Sequence, residues 1–251
     1  MGSIRDRMLD VGAASVADLT RDLIHAGYLG QFLVKMLLET PDTEVHYTYT
    51  SPTGQSQLSL PGHKQAACGH RVSFESGQGL HECLQGMGEA DLVVNCAAIS
   101  APATCEKEPE RALAINAPSA LVDALVHQRG VTGREPLLVH ISTDHVYGGS
   151  RSWWSEEEAG PINAYGRSKV AGEELVLRRW RNSVVLRPSL IFGPPPPFFP
   201  VSRNLFLQWM EGQLAKGVRW GRRQLARSSP LGPASTRGPF PFFAQHQLLL
   251  G

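Results

Sequence analysis

LLVHISTDHVYGG, residues 137–149, is an apolar run from Leu137 to Ile141 that breaks into hydroxyls, an acid and two glycines. A run of that length and composition fits a sheet strand covered on both faces, with a loop at its C-terminal end. Beyond it, Asn163 to Trp180 has helical spacing, and Ser183-Val184-Val185-Leu186-Arg187 reads as the next strand. The same alternation extends upstream. Leu29, Phe32, Leu33, Met36 and Leu37 fall on one face of a helix that Pro41 and Asp42 end. Glu44 to Thr50 reads as a strand, Ser51 to Gly62 as a polar loop, residues 78 to 87 as a short helix and Asp91 to Asn95 as another buried strand. A helix then starts near Pro109 and carries Ala112, Ile115, Leu121 and Leu125. Strand and helix in regular alternation predict an α/β fold with three αβα layers around a doubly wound parallel sheet.

The composition sets limits on function. With 42% hydrophobic and 19% charged residues the chain can bury a core. Its net charge of +1 is unevenly spread: all 23 acids lie before Lys216, whereas Lys216, Arg219, Arg222, Arg223, Arg227 and Arg237 follow unbalanced. A mildly acidic body argues against nucleic acid as a partner. Residues 218–251, rich in Arg, Pro and Gly without a sustained period, read as a disordered tail. The run Pro194 to Pro197 must be extended. Cys68, Cys83, Cys96 and Cys105 form no CxxC pair and have no histidines at zinc-ligand spacing, so they read as reduced thiols of a cytoplasmic protein, with no metal expected. Residues 1–22 lack the apolar core of a targeting peptide, and no stretch approaches the roughly 18 apolar residues of a membrane span.

Tyr165 and Lys169 form a YxxxK pair, which a helix places on one face, one turn apart. A phenol with a pKa near 10 is a poor acid–base group at neutral pH unless a cation favours its phenolate. Lowering that pKa by about three units takes roughly 4 kcal/mol, within reach of an ammonium in a dry site. Thr143 lies at the C-terminal end of the strand before this helix, where open α/β sheets place their sites. His140 alternates into the strand and reads as a packed core histidine. Ser142 and Asp144 read as loop hydrogen-bonding residues, and Trp153 and Trp154 belong to the loop before Tyr165.

Three segments in order, ISTDHVYGG (141–149), NAYGRSKVAGEE (163–174) and VVLRPSLIFGP (184–194), together with Asn95-Cys96-Ala97-Ala98, resemble the extended short-chain dehydrogenase/reductase superfamily. Within it they are similar to the dTDP-4-dehydrorhamnose reductase-like branch, which includes the regulatory β subunit of methionine adenosyltransferase. The resemblance covers roughly residues 27 to 217 and implies a Rossmann-type dinucleotide domain at 23–217. It implies that Tyr165 protonates a carbonyl, that Thr143 hydrogen-bonds the same oxygen, and that Lys169 holds the nicotinamide ribose and tunes Tyr165. It also implies that Gly27, Tyr28, Leu29 and Gly30, with Asn95, Ala97 and Ala98, line the cofactor.

The chain departs from the family's pattern in three places. Ile24 stands where the first glycine of GxxGxxG belongs, and Asp18 to Ala26 lacks the apolar run of a first strand, Val16, Leu19, Leu23 and Ile24 falling instead at helical spacing. The first strand is therefore expected to be missing. No acid occurs between Val45 and Phe74 to hold a ribose 2′-hydroxyl, which favours NADP(H) over NAD(H), although Ser73 stands where the branch commonly has an aspartate facing the adenine. Residues 218–251 resemble nothing in the family's substrate domain, which is expected to be truncated. The expected function is reduction of a nucleotide-linked 4-keto sugar, with the altered ends counting against activity. The alternative is a non-catalytic subunit that docks on a methionine adenosyltransferase catalytic subunit.

Overall fold

The computed structural model describes residues 21–25, 27–50, 57–150, 153–201 and 205–216. The expectations for residues 1–20 and for the tail at 218–251 lie outside the described residues. Seven strands, β1 (Arg21–His25), β2 (Glu44–Tyr49), β3 (Gln57–Ser59), β4 (Ala66–Arg71), β5 (Leu92–Asn95), β6 (Leu137–Ile141) and β7 (Ser183–Leu186), form one sheet in the order β3-β4-β2-β1-β5-β6-β7. Every pairing is parallel except that of β3 with β4. The chain winds outward from β1 through β2 to β4, then returns to β5 on the other side of β1 and continues to β7. This is the doubly wound Rossmann-type order, with the direction of winding reversed between β1 and β5.

Helices cover both faces. Val34, Leu37 and Leu38 of α1 (Tyr28–Leu38) pack on Val45, Tyr47, Ala67, Leu92 and Val94. On the opposite face Val93 and Leu138 meet Leu80 and Leu84 of α2 (Leu80–Met87), Leu121 and Leu125 of α5 (Ser119–Thr132), and Val176 and Trp180 at the end of α6 (Ala164–Arg179). The change of face from Leu92 to Val93 to Val94 is the two-residue period of a strand. Each fully buried side chain of this kind contributes roughly 1.5–3 kcal/mol. The Trp180 indole is fully buried, and its Nε1 donates to the Pro136 carbonyl at 3.0 Å.

Three expectations are corrected. The first strand is present: β1 lies between β2 and β5, with Ile24 opposite Tyr47 on one side and Val94 on the other. Two neighbouring edges that each need a hydrogen-bonding partner outweigh a weak local helical period. The presumed loop at 51–62 contains β3, which pairs antiparallel with β4; β3 alternates over only three residues and β4 does not alternate in hydrophobicity, so neither was foreseen. The helix expected from Pro109 is two helices, α4 (Pro109–Asn116) and α5, preceded by the short α3 (Pro102–Lys107). Pro118 divides them. It has no N–H to donate, and it holds Ala117 in extended backbone at φ −96° and ψ 95°. A further helix, α7 (Phe206–Ala215), follows the proline-rich segment.

Candidate active site

The C-terminal ends of β1, β5 and β6 lie side by side, so the turns after them converge at the point where the winding reverses. After β1, Gly27 caps α1 with no side-chain capping bond and no acid in the first turn. A Cβ on Gly27 would meet nothing within 4 Å, so open space adjoins a helix N-terminus whose free N–H groups suit an anion. In the first turn of α1 Gly30 is buried and Leu29 is half-buried. The side chains of Tyr28 and Gln31 tie α1 to the segment after β7. Tyr28 Oη donates to Pro194 O at 2.7 Å, Gln31 Nε2 donates to Phe199 O at 3.0 Å, and Gln31 Oε1 accepts from the Phe198 and Phe199 N–H groups at 3.2 and 3.0 Å. The proline run is thus fixed beside α1.

The turn after β5 is organised by two buried asparagines. Asn95 Oδ1 accepts from Ala97 N at 3.1 Å, closing a tight turn that leaves Ala97 buried and Ala98 exposed. Asn116 ends α4 fully buried and binds both backbone groups of Ile99, accepting from its N–H at 2.8 Å and donating to its carbonyl at 3.1 Å. Its remaining N–H donates to Ser168 Oγ in α6 at 2.8 Å. The sequence reading missed Asn116. Its signal was an amide at a helix end, directly before Ala117-Pro118.

Thr143 Oγ1 caps the 3₁₀ turn Asp144–Val146 by accepting from His145 N at 3.2 Å. The His145 ring packs edge-on against Tyr165, with centroids 5.4 Å apart, so Thr143 and Tyr165 both contact His145. Asn163 caps α6, accepting from Gly166 N at 2.7 Å. A side chain at Gly166 would collide with the His145 carbonyl oxygen; glycine there lets the first turn of α6 close on this loop. Tyr165 and Lys169 lie one turn apart on α6, both buried.

A chain of hydrogen bonds links Lys169 to the turn after β5. Because Asn95 Oδ1 is taken by Ala97, its Nδ2 donates to His140 Nδ1 at 3.0 Å. This polarity assigns the imidazole proton to Nε2, which faces Lys169 Nζ at 3.4 Å, an arrangement suited to a neutral amine. Burial lowers the Lys169 pKa from 10.5 to about 8, although Glu173 and Cys96 pull it upward. Burial, and then the Lys169 charge, hold His140 well below the usual histidine range. His140 is a core residue, as its alternation implied, but it also contacts the predicted catalytic lysine.

Beneath this layer Glu173, buried in α6, forms a two-point ion pair with Arg187 just past β7, at 2.9 and 2.5 Å, and accepts from Ser142 Oγ. Arg187 also donates to Tyr147 Oη and Glu156 O, both at 2.9 Å, and its guanidinium lies 5.1 Å from the Tyr147 ring centre. Burial alone would lower the Arg187 pKa, but its bonds to Glu173 and Tyr147 more than offset this and raise it. Tyr147 in turn stacks on Trp154 at 5.9 Å, while Trp153 is exposed. Glu173 and Arg187 were quoted in the sequence motifs without a role; contact between a helix and a strand tip cannot be read from spacing.

The family model described as the RmlD substrate binding domain matches residues 27–215. A dTDP-4-dehydrorhamnose reductase of Mycolicibacterium smegmatis is 37% identical over 126 residues, covering 47% of this chain and 37% of that protein. The methionine adenosyltransferase 2 subunit beta of Danio rerio is 34% identical over 106 residues, covering 41% and 30%. A solved structure described as a hypothetical dTDP-4-dehydrorhamnose reductase from Sulfolobus tokodaii aligns with a TM-score of 0.55 at 31% identity, over 70% of this chain and 58% of that one. The chain thus spans between about a third and three-fifths of the length of these relatives. Among the described residues no helix is long and apolar enough to cross a membrane. With three-quarters of its length matched by one model, the chain belongs to the RmlD substrate binding domain family, the dTDP-4-dehydrorhamnose reductase-like branch of the extended short-chain dehydrogenases/reductases.

Proposed function

We propose that this chain binds a nicotinamide dinucleotide at the N-terminus of α1 and reduces the carbonyl of a nucleotide-linked 4-keto sugar with Thr143, Tyr165 and Lys169. The observation that carries this reading is the convergence of the open helix N-terminus at Gly27, the Asn95–Ala98 turn and the Thr143–His145–Tyr165 contact on three adjacent strand ends. When bound, the dinucleotide supplies the reducing equivalent. Tyr165 gives its phenolic proton to the carbonyl oxygen, and Thr143 donates a hydrogen bond to the same atom. Lys169, whose lowered pKa of about 8 lets it release its proton just above neutral pH, holds the ribose hydroxyls and favours the phenolate when charged. Gly27, Tyr28, Leu29 and Gly30 contribute backbone to the phosphates, and Asn95, Ala97 and Ala98 form the wall toward β5. NADP(H) is favoured over NAD(H), because no acid stands between Val45 and Phe74 to hold a free 2′-hydroxyl.

Titration with NADPH and NADH, followed by assay with a dTDP-4-keto sugar, tests the reading. Micromolar binding of NADPH, and a Tyr165→Phe variant that loses about 10²- to 10⁴-fold in kcat at unchanged nucleotide affinity, are the expected results. A fully active Tyr165→Phe variant would refute the assignment. A second reading, a regulatory subunit for a methionine adenosyltransferase, draws on the similarity to the zebrafish β subunit. Co-purification with a methionine adenosyltransferase catalytic subunit, in the absence of sugar-nucleotide turnover, would select it.

A further inference from the structure

On the side of β1 away from β5, the parallel register places His46 of β2 directly opposite Cys68 of β4, with Thr48 opposite His70. Val45, Tyr47 and Ala67 pack under α1, so His46, Cys68 and His70, which alternate with them, share the other face of the sheet. One nitrogen of each imidazole and the Cys68 sulfur all lie within 4.8 Å of one another. Among the described residues no other group of His, Cys, Asp or Glu has this geometry. We propose that His46, Cys68 and His70 form a binding site for a thiophilic divalent transition-metal ion of the zinc class, with Glu44 orienting His46.

Two imidazoles and a thiolate are a donor set that borderline-soft ions such as zinc favour over magnesium or calcium. Its outer partner is already in place. His46 Nε2 contacts Glu44 Oε1 at 2.9 Å, so Nε2 carries the proton and Nδ1 presents a lone pair, the carboxylate–histidine arrangement that fixes a ligand's tautomer. That lone pair faces His70 Nε2 at 2.8 Å, and the rings stack with centroids 5.1 Å apart. Without an ion, His70 must donate its Nε2 proton across this gap, since two bare lone pairs would repel. A cation replaces that proton. His70 then carries its proton on Nδ1, Cys68 releases one proton to solvent, and the ion gains two neutral nitrogens and one thiolate. Cys68 is exposed and in no disulfide, so its sulfur faces solvent, where water can take a fourth position. The site lies on β2 and β4, with β1 and β5 between it and the end of β6 that leads to Thr143, so it joins β2 to β4 apart from the residues proposed for the reduction.

The test is titration of the chelator-treated full chain with Co²⁺, followed by absorbance. Binding should give a thiolate-to-cobalt charge-transfer band that Zn²⁺ abolishes. Cys68→Ser should remove the band, and Glu44→Gln should weaken binding by about 10- to 100-fold. Both changes are at exposed positions, so thermal melts in chelator should match the wild type. No charge-transfer band, a band that survives Cys68→Ser, or an affinity indifferent to both Glu44→Gln and His70→Ala would overturn the proposal, the last two leaving an adventitious ion only.

Discussion

On the side of the sheet running from β5 through β6 to β7, each strand is a compact apolar run that leads into the residues that build the candidate site: Asn95 at the end of β5 and Ala97 after it, Ser142 and Thr143 after β6, Arg187 after β7. On the other side, β1, β4 and β3 have no such mark, and β4 carries Cys68, Gly69, His70 and Arg71 where an apolar run would be expected. Both sides nevertheless form equally regular pairings. A strand covered on both faces by helices needs apolar side chains to fill two interfaces, and so announces itself. β3 and β4, at one edge, are held mainly by their neighbours' backbone, and their outer side chains are left free to be polar. β1, by contrast, is central and short, with Arg21, Asp22 and His25 breaking its apolar run, so its place is fixed by β2 and β5.

If that contrast is right, the β5–β7 side should fail most severely when its buried charges are disturbed. Arg187→Met strands Glu173 as a buried carboxylate, with Ser142 as a remaining partner. Urea unfolding should show a loss of about 3–5 kcal/mol, with partial recovery in an Arg187→Met, Glu173→Leu double variant. A single-variant loss under about 1 kcal/mol would mean that water reaches the pair.

Lys169 should show the opposite sign. Folding lowers its pKa from 10.5 to about 8, so between these values the unfolded chain holds a proton that the folded one has released. Stability should therefore rise with pH through that window, and the cost is carried in full below about pH 8. Lys169→Met removes the cost and should stabilise the ligand-free chain at pH 7 by up to about 3 kcal/mol, flattening the dependence between pH 8 and 10 while abolishing turnover. A destabilised methionine variant would show that the ammonium is satisfied.

Gly166→Ala should cost about 1–3 kcal/mol by pushing the start of α6 away from His145, and activity should fall further than stability because Tyr165 moves with it. Gly27→Ala gives the smallest expected effect on folding, under about 1 kcal/mol in a thermal melt, because its Cβ points into open space at φ −73°. Its loss should appear in NADPH affinity, measured by fluorescence titration. Equal losses of stability and affinity would place Gly27 among the packing residues of the fold.

Much of the candidate site was legible because catalytic residue types at fixed offsets constrain a helix and a strand end: Tyr165 and Lys169 share a turn wherever their segment is helical, and Thr143 follows an apolar strand. Asn116, Glu173 and Arg187 were not legible as parts of it, since each acts on residues distant in sequence: Asn116 on Ile99 and Ser168, Glu173 on Ser142 and Arg187. Pro118 was passed over when a single helix was expected from Pro109, although its effect on Ala117 follows from the proline ring alone.

What the sequence by itself determined is the alternation of βα units, the buried strands on the β5–β7 side and the identity of the residues at their ends, because apolar period and residue chemistry are local properties. Only the tertiary structure decided that Arg21–His25 is a strand, that His140 stands between Asn95 and Lys169, and that His46, Cys68 and His70 meet on one face. Each of those depends on which strand lies beside which, and register between strands is set by the free energy of the whole sheet rather than by any segment of the chain.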